Sequence, residues 1–170
     1  MSEMGESAES TAAENEGGSA ATPFLDAPNR AIIEALQRDG RQPYGAIALA
    51  VGLSEAAVRR RVQRLREAGI MQIVAVTDPL QLGFTRQAMI GITVEGDVRV
   101  VADKLSALPD VDYVVMCAGS FDVLAEVVCE DDKRLLEVLN DSVRSIAGVR
   151  ATETFLYLKL AKQTYTWGTR

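Results

Sequence analysis

The chain contains no histidine, which removes both histidine-based acid–base catalysis and a histidine-ligated metal site from consideration. Its two cysteines, Cys117 and Cys129, each sit in an apolar strand-like run where a reduced thiol behaves as a small hydrophobe. Neither a disulfide nor a metal centre is expected from them. Glycine-rich phosphate loops of the GxGxxG or GxxxxGKS/T kind are missing too, so no cofactor and no enzyme chemistry is read. The acidic cluster Glu130-Asp131-Asp132 reads as the negative start of a following helix, where the helix dipole favours it. No run of eighteen uncharged apolar residues occurs, and the first residues are acidic instead of basic. That pattern argues against a membrane span or a secretory signal and predicts a cytoplasmic protein with no membrane partner.

Positive charge is also scarce overall, with a formal net charge of −6, but its distribution is uneven. Residues 1–24 hold five Glu and no basic residue, whereas residues 25–72 hold eight Arg against five acids and no Lys. The rest of the chain is acidic again. The one positive segment therefore carries its charge on the planar guanidinium fork that suits phosphate and guanine.

Composition divides the chain further. Residues 1–22, rich in Ser, Gly, Ala and Glu, bury too little apolar surface to offset ordering entropy and read as a disordered acidic tail. Residues 23–76 predict three helices. Asp26 caps the first, with Pro28 in its first turn, Ile32, Ile33 and Leu36 at helical spacing, and Gly40 at its end. A short second helix after Pro43 breaks at Gly52, with Ala50 as the small residue that lets it cross the third helix closely. Ser54 caps that third helix, EAAVRRRVQRLREA, which stops at Gly69. Within it Val58, Val62 and Leu65 form one apolar stripe, leaving Ala56, Arg60, Gln63 and Glu67 opposite and Arg59 and Arg64 at the flanks. This is a helix-turn-helix pattern, and the β-rich run IMQIVAV predicts a wing strand after it. Residues 77–85 read as a linker.

Residues 86–162 follow the order strand, helix, strand, strand, helix, strand, a ferredoxin-like βαββαβ pattern in an α+β protein. Gly119-Ser120 predicts a two-residue type II′ hairpin between the middle strands. The run VDYVVMCA offers apolar side chains to both faces of the sheet, while both helices cover one face only. A second copy of the same sheet is the simplest cover, so a homodimer is expected. Residues 163–170 form a C-terminal tail whose Tyr165 and Trp167 suit packing against a partner.

Five strings in this order carry a resemblance: LDAPNRAIIEALQRDGR, VGLSEAAVRRRVQRLREAGI, TDPLQLGF, GSFD and ATETFLYL. Together, over about residues 25–160, they resemble the Lrp/AsnC (feast/famine) family of transcription regulators. The resemblance implies a winged helix-turn-helix head, a RAM/ACT-like βαββαβ domain, nucleoid association, double-stranded DNA as partner, an amino-acid effector, and assembly beyond the dimer to an octamer.

Two groups of site residues follow. An Arg-rich helix face can be merely solvated and Ser54 merely an N-cap, but this face lies on the second helix of a helix-turn-helix in the only positive segment. Ser54, Ala56, Ala57 and Arg60 are expected nearest base edges, with Gln63 on the same face, and Arg59, Arg61 and Arg64 at phosphates. Family members often carry Pro, Thr or Ser near the two alanines. That departure implies weaker base readout and more reliance on DNA bending. The second group is Gly119, Ser120 and Asp122, which suit a hairpin as well as they suit an amino-acid effector. Asp122 interrupts an apolar run, where a carboxylate wants a cation or donors. By resemblance Thr152 and Thr154 add hydroxyls there. Two other functions stay open at this level: a DNA-compacting protein without sequence preference, and a metabolite-binding regulatory subunit of an enzyme.

Overall fold

The computed structural model describes residues 25–169, so the acidic tail read over residues 1–22 lies outside the described residues. The chain divides into two compact units, one holding residues up to Ile73 together with Tyr165 onward, the other Val74–Thr164.

The first unit is built on three helices. Helix α1 (Ala27–Arg38) starts at Asp26, whose carboxylate accepts from the Asn29 N–H at 2.8 Å, and ends at Asp39, one residue before Gly40. Helix α2 (Tyr44–Val51) is closed by Gly52 at φ 69°, a left-handed conformation that a Cβ would strain. Helix α3 (Glu55–Glu67) starts at Ser54, whose Oγ accepts from Ala57 N–H at 3.2 Å. Ile32, Leu36, Ile47, Ala48, Val58 and Val62 form the core. The small residue at the crossing is Ala48; Ala50, expected there, is exposed, because the register of α2 turns it outward.

No wing strand forms over IMQIVAV. Residues 71–78 have no regular structure and Val74 is 68% exposed; the run crosses the boundary between the two units and pairs with no strand among the described residues. The C-terminal residues return to α1: Gly168 N–H donates to Gln37 Oε1 at 3.1 Å and the Thr169 hydroxyl to Glu34 Oε1 at 2.6 Å. Tyr165 and Trp167 meet edge to face at 6.1 Å, with Trp167 76% exposed.

The second unit is a four-stranded antiparallel sheet with two helices on one face. Its strands are β1 (Arg86–Val94), β2 (Val111–Met116), β3 (Val123–Cys129) and β4 (Val149–Leu156), in the spatial order β2-β3-β1-β4. Helix α4 (Val98–Ser106) joins β1 to β2. Helix α5 (Asp132–Glu137) joins β3 to β4 and continues as a π-helical segment over Val138–Val143. Strict alternation buries Ala88, Ile90 and Ile92 of β1 and Val123, Ala125, Val127 and Cys129 of β3 against Val101, Leu105, Leu135 and Val138 of the helices. The register places Tyr113, Glu126, Met89 and Phe155 on the opposite face, which nothing in this unit's core covers.

The middle hairpin is wider than the two-residue turn expected of Gly119-Ser120. Cys117 N–H donates to Asp122 O at 2.9 Å, so the loop spans residues 118–121, and Gly119 does not adopt the positive φ that a type II′ turn demands. The cause is Phe121, which leaves the strand to lay its ring over Gly91. A Cβ on Gly91 would stand 2.7 Å from that ring, and Phe155 meets the same ring edge to face at 5.9 Å.

Candidate DNA-binding and effector sites

Helix α3 turns its buried stripe of Val58, Val62 and Leu65 inward, which leaves its polar positions on the surface. Ser54 and Ala56 are exposed at its N-terminus, and Ala57 is half-buried. The arginines then separate by what they touch. Arg59 pairs with Glu55 at 2.8 Å and stands 5.5 Å from the centroid of the Tyr44 ring. Arg61 donates from Nη1 to Asp26 Oδ2 at 2.7 Å and to Asn29 Oδ1 at 2.9 Å, both on the start of α1. Gln63 bonds Glu67 along the helix at 2.8 Å. Arg60, Arg64 and Arg66 are exposed and hold no ion pair or side-chain hydrogen bond among the described residues.

Two grooves flank the helix. One, of about 450 Å³, is lined by Leu53, Ala57, Arg60, Arg61 and Arg64. The other, of about 540 Å³, is lined by Tyr44, Arg59, Gln63 and Arg66. Sequence reasoning missed Tyr44 and Arg66. Tyr44 follows Pro43 at the first position of α2, part-buried against the core, with its ring beside Arg59 in this groove.

Asp122 finds its donor inside the protein. Its Oδ2 accepts from the Val94 backbone N–H at 2.7 Å, two residues beyond Ile92, where the pairing of β1 with β3 ends. Its own N–H donates to Ile92 O at 2.9 Å. Gly119 and Ser120 sit exposed in the adjoining loop. Thr152 and Thr154 are not brought to this loop's side of the sheet. They pair in register with Ile92 and Ile90, hence on the helix-covered face, and the Thr152 hydroxyl accepts from Arg144 Nε at 3.0 Å. The separation is invisible to spacing alone, because it depends on which face of β4 meets the helices.

Burial pushes the Cys129 thiol up to about 11, with Asp110 adding to it. Among the described residues no group of side chains could hold a metal ion, and no helix is long and apolar enough to cross a membrane.

Residues 25–66 match the AsnC-type helix-turn-helix domain, and residues 84–170 match the AsnC-type C-terminal dimeric alpha+beta barrel domain. The chain is 37% identical over 143 residues to the HTH-type transcriptional regulator FL11 of Pyrococcus furiosus, covering 83% of this chain and 94% of that protein. The chain belongs to the Lrp/AsnC family of transcription regulators. An uncharacterised HTH-type transcriptional regulator of Pyrococcus abyssi is 35% identical over 146 residues, covering 85% of this chain and 90% of that one. Escherichia coli AsnC superposes with a TM-score of 0.70 at 27% identity, over 83% of this chain and 97% of that chain. A Neisseria meningitidis transcriptional regulator, solved as a complex with L-Met, superposes with a TM-score of 0.71 at 27% identity, over 84% and 95%. Lrp/AsnC proteins are regulators and not enzymes; they bind DNA and dimerise through the C-terminal domain.

Proposed function

We propose that this Lrp/AsnC protein is a sequence-specific regulator whose α3 enters the major groove and whose sheet domain answers to an amino acid. The observation that carries the reading is the pair Arg60 and Arg64, both exposed on the outward side of α3 without an acidic partner. An unpaired guanidinium is available to guanine or phosphate at no cost in broken ion pairs. Arg60 reads a base edge, with Ser54, Ala56 and Ala57 beside it and Gln63 one turn on. Arg64, and Arg59 after release from Glu55, hold phosphates. In the cell the protein works on the nucleoid in the cytoplasm. It pairs through the uncovered face of its sheet and assembles further to an octamer, so that twofold-related heads read half-sites about one helical turn apart, roughly 34 Å, or a multiple.

The effector is an amino acid at the Gly119–Asp122 loop. Asp122 Oδ1 is unpaired among the described residues and can take the ammonium, while loop N–H groups take the carboxylate. Thr152 and Thr154, grouped with Arg144 on the other face, form a separate polar patch in support of β4.

Selection of bound fragments from random DNA, followed by titration at fixed salt, tests the reading. A consensus should emerge that wild type prefers over unrelated DNA by at least about 10³-fold, and Arg60→Ala should lose about 1–3 kcal/mol on that site alone. Equal affinity for all sequences would favour the DNA-compacting reading, which the two methyl side chains at Ala56 and Ala57 also suit. Calorimetry with a panel of amino acids should show heat for at least one and none for Asp122→Ala.

A further inference from the structure

We infer that Arg61 is a positioning residue for the DNA-binding helix and not one of its phosphate ligands: it clamps α3 to the N-terminus of α1 through Asp26 and Asn29. This rests on the DNA-binding reading above and adds a mechanism to it.

Arg59, Arg60 and Arg61 are consecutive, and at 100° per residue they must point three different ways. Arg59 is 65% exposed at its side chain, Arg61 only 30%. The Arg61 guanidinium spans 35 residues of sequence to reach Asp26 and 32 to reach Asn29. Both partners are themselves anchored, since Asp26 caps α1 through Oδ1 on the Asn29 N–H and offers Arg61 its second oxygen. Asn29 is the one buried polar side chain among the described residues, at 7% exposure. A buried amide oxygen is costly to leave without a donor, and Arg61 supplies one.

A phosphate would have to compete with this arrangement. Both bonds use Nη1, so a phosphate would be left Nε and Nη2 beside the repelling Asp26 carboxylate. One that drew Nη1 away would break a charge-assisted bond and remove a donor from Asn29 Oδ1. Arg64, in the same groove, offers the same charge with none of these costs. The apolar stripe holds α3 against the core but resists rolling only through side-chain packing. A directional bond at the flank of the helix sets its roll, and with it the direction in which Arg60 points.

The test measures binding of the full-length protein to its selected DNA site and to unrelated DNA over a range of salt. It uses Arg61→Ala, Asp26→Asn, the double variant, and Arg64→Ala as the phosphate control. Asn is a good N-cap, so Asp26→Asn keeps α1 while weakening the clamp. Arg64→Ala should lower the slope of log affinity against log salt by about 0.9, one phosphate contact. Arg61→Ala and Asp26→Asn should each weaken site binding severalfold with the slope unchanged. They should leave binding to unrelated DNA intact, and the double variant should be no weaker than Arg61→Ala. Arg61→Lys, whose ammonium carries the charge and can donate to the same two oxygens but lacks the planar guanidinium, should restore part of the loss. The inference is overturned if Arg61→Ala lowers the slope as Arg64→Ala does, or if Asp26→Asn binds the site as wild type does. Should wild type prefer no sequence, the sequence-specific reading fails instead. The clamp is then judged by the melting of the helical unit, which both single variants must lower by non-additive amounts.

Discussion

Ile47→Ala tests whether the helical unit presents α3 by its own core. Ile47 is fully buried in α2, packed in the cluster that holds Val58 and Val62 of α3. The substitution removes the equivalent of about three methylene groups at ~0.8 kcal/mol each. With the cavity left behind, the cost is about 2–5 kcal/mol. A unit of about fifty residues has only ~2.5–7 kcal/mol of stability at typical values per residue, so the change removes most of it. At ~4–8 °C per kcal/mol for small domains, a loss of about 3 kcal/mol lowers the melting of this unit by more than ~10 °C. Differential scanning calorimetry should show the helical transition moving down while the sheet transition stays. Sedimentation should still find the dimer, and DNA binding should vanish at temperatures where wild type binds. A helical transition that stays in place, or a sheet transition that falls with it, would refute the assignment of separate cores.

Three further outcomes are expected. Gly91→Ala should push the Phe121 ring off the sheet and cost about 1–3 kcal/mol, the range for overpacking, with Phe121→Ala in the same chain removing the clash; equal melting of Gly91→Ala and wild type would disprove the contact. A thiol reagent at pH 8 should label exposed Cys117 quickly and buried Cys129 only on unfolding, so two equivalents reacting at one rate would contradict the burial of β3. The Asn29 N–H first and the Arg61 guanidinium second hold the Asp26 carboxyl below its ordinary value near 3.8. A depressed folded-state pKa gives stability that is complete above the ordinary value and lost as pH falls through the lowered one. The helical unit should therefore melt lower below about pH 4, and this acid sensitivity should shrink in Asp26→Asn.

Local pattern in the sequence was enough to determine the order of the helices and of the sheet's four strands, and the N-caps of α1 and α3. Ser54 and Asp26 are acceptors placed just before helical runs, and Val58, Val62 and Leu65 recur at the helix period, so each reports on backbone within a few residues of itself. The same holds for the alternation that buries Val123, Ala125 and Val127. The uneven placement of arginine, and the face it occupies, was likewise readable, because a helix with one apolar stripe has only one way to turn.

Only the tertiary structure decided which of those arginines is free. Arg60 and Arg61 are identical neighbours in sequence; a partner 35 residues away occupies one and leaves the other exposed. The same kind of long-range choice paired Asp122 with Val94, seated Phe121 on Gly91 and so widened a hairpin, put Ala48 in place of Ala50 at the helix crossing, and left IMQIVAV outside the sheet. Periodicity constrains the direction a side chain leaves its own backbone. What it meets depends on which distant segment packs there, and the chemistry of a polar group is set by what it meets.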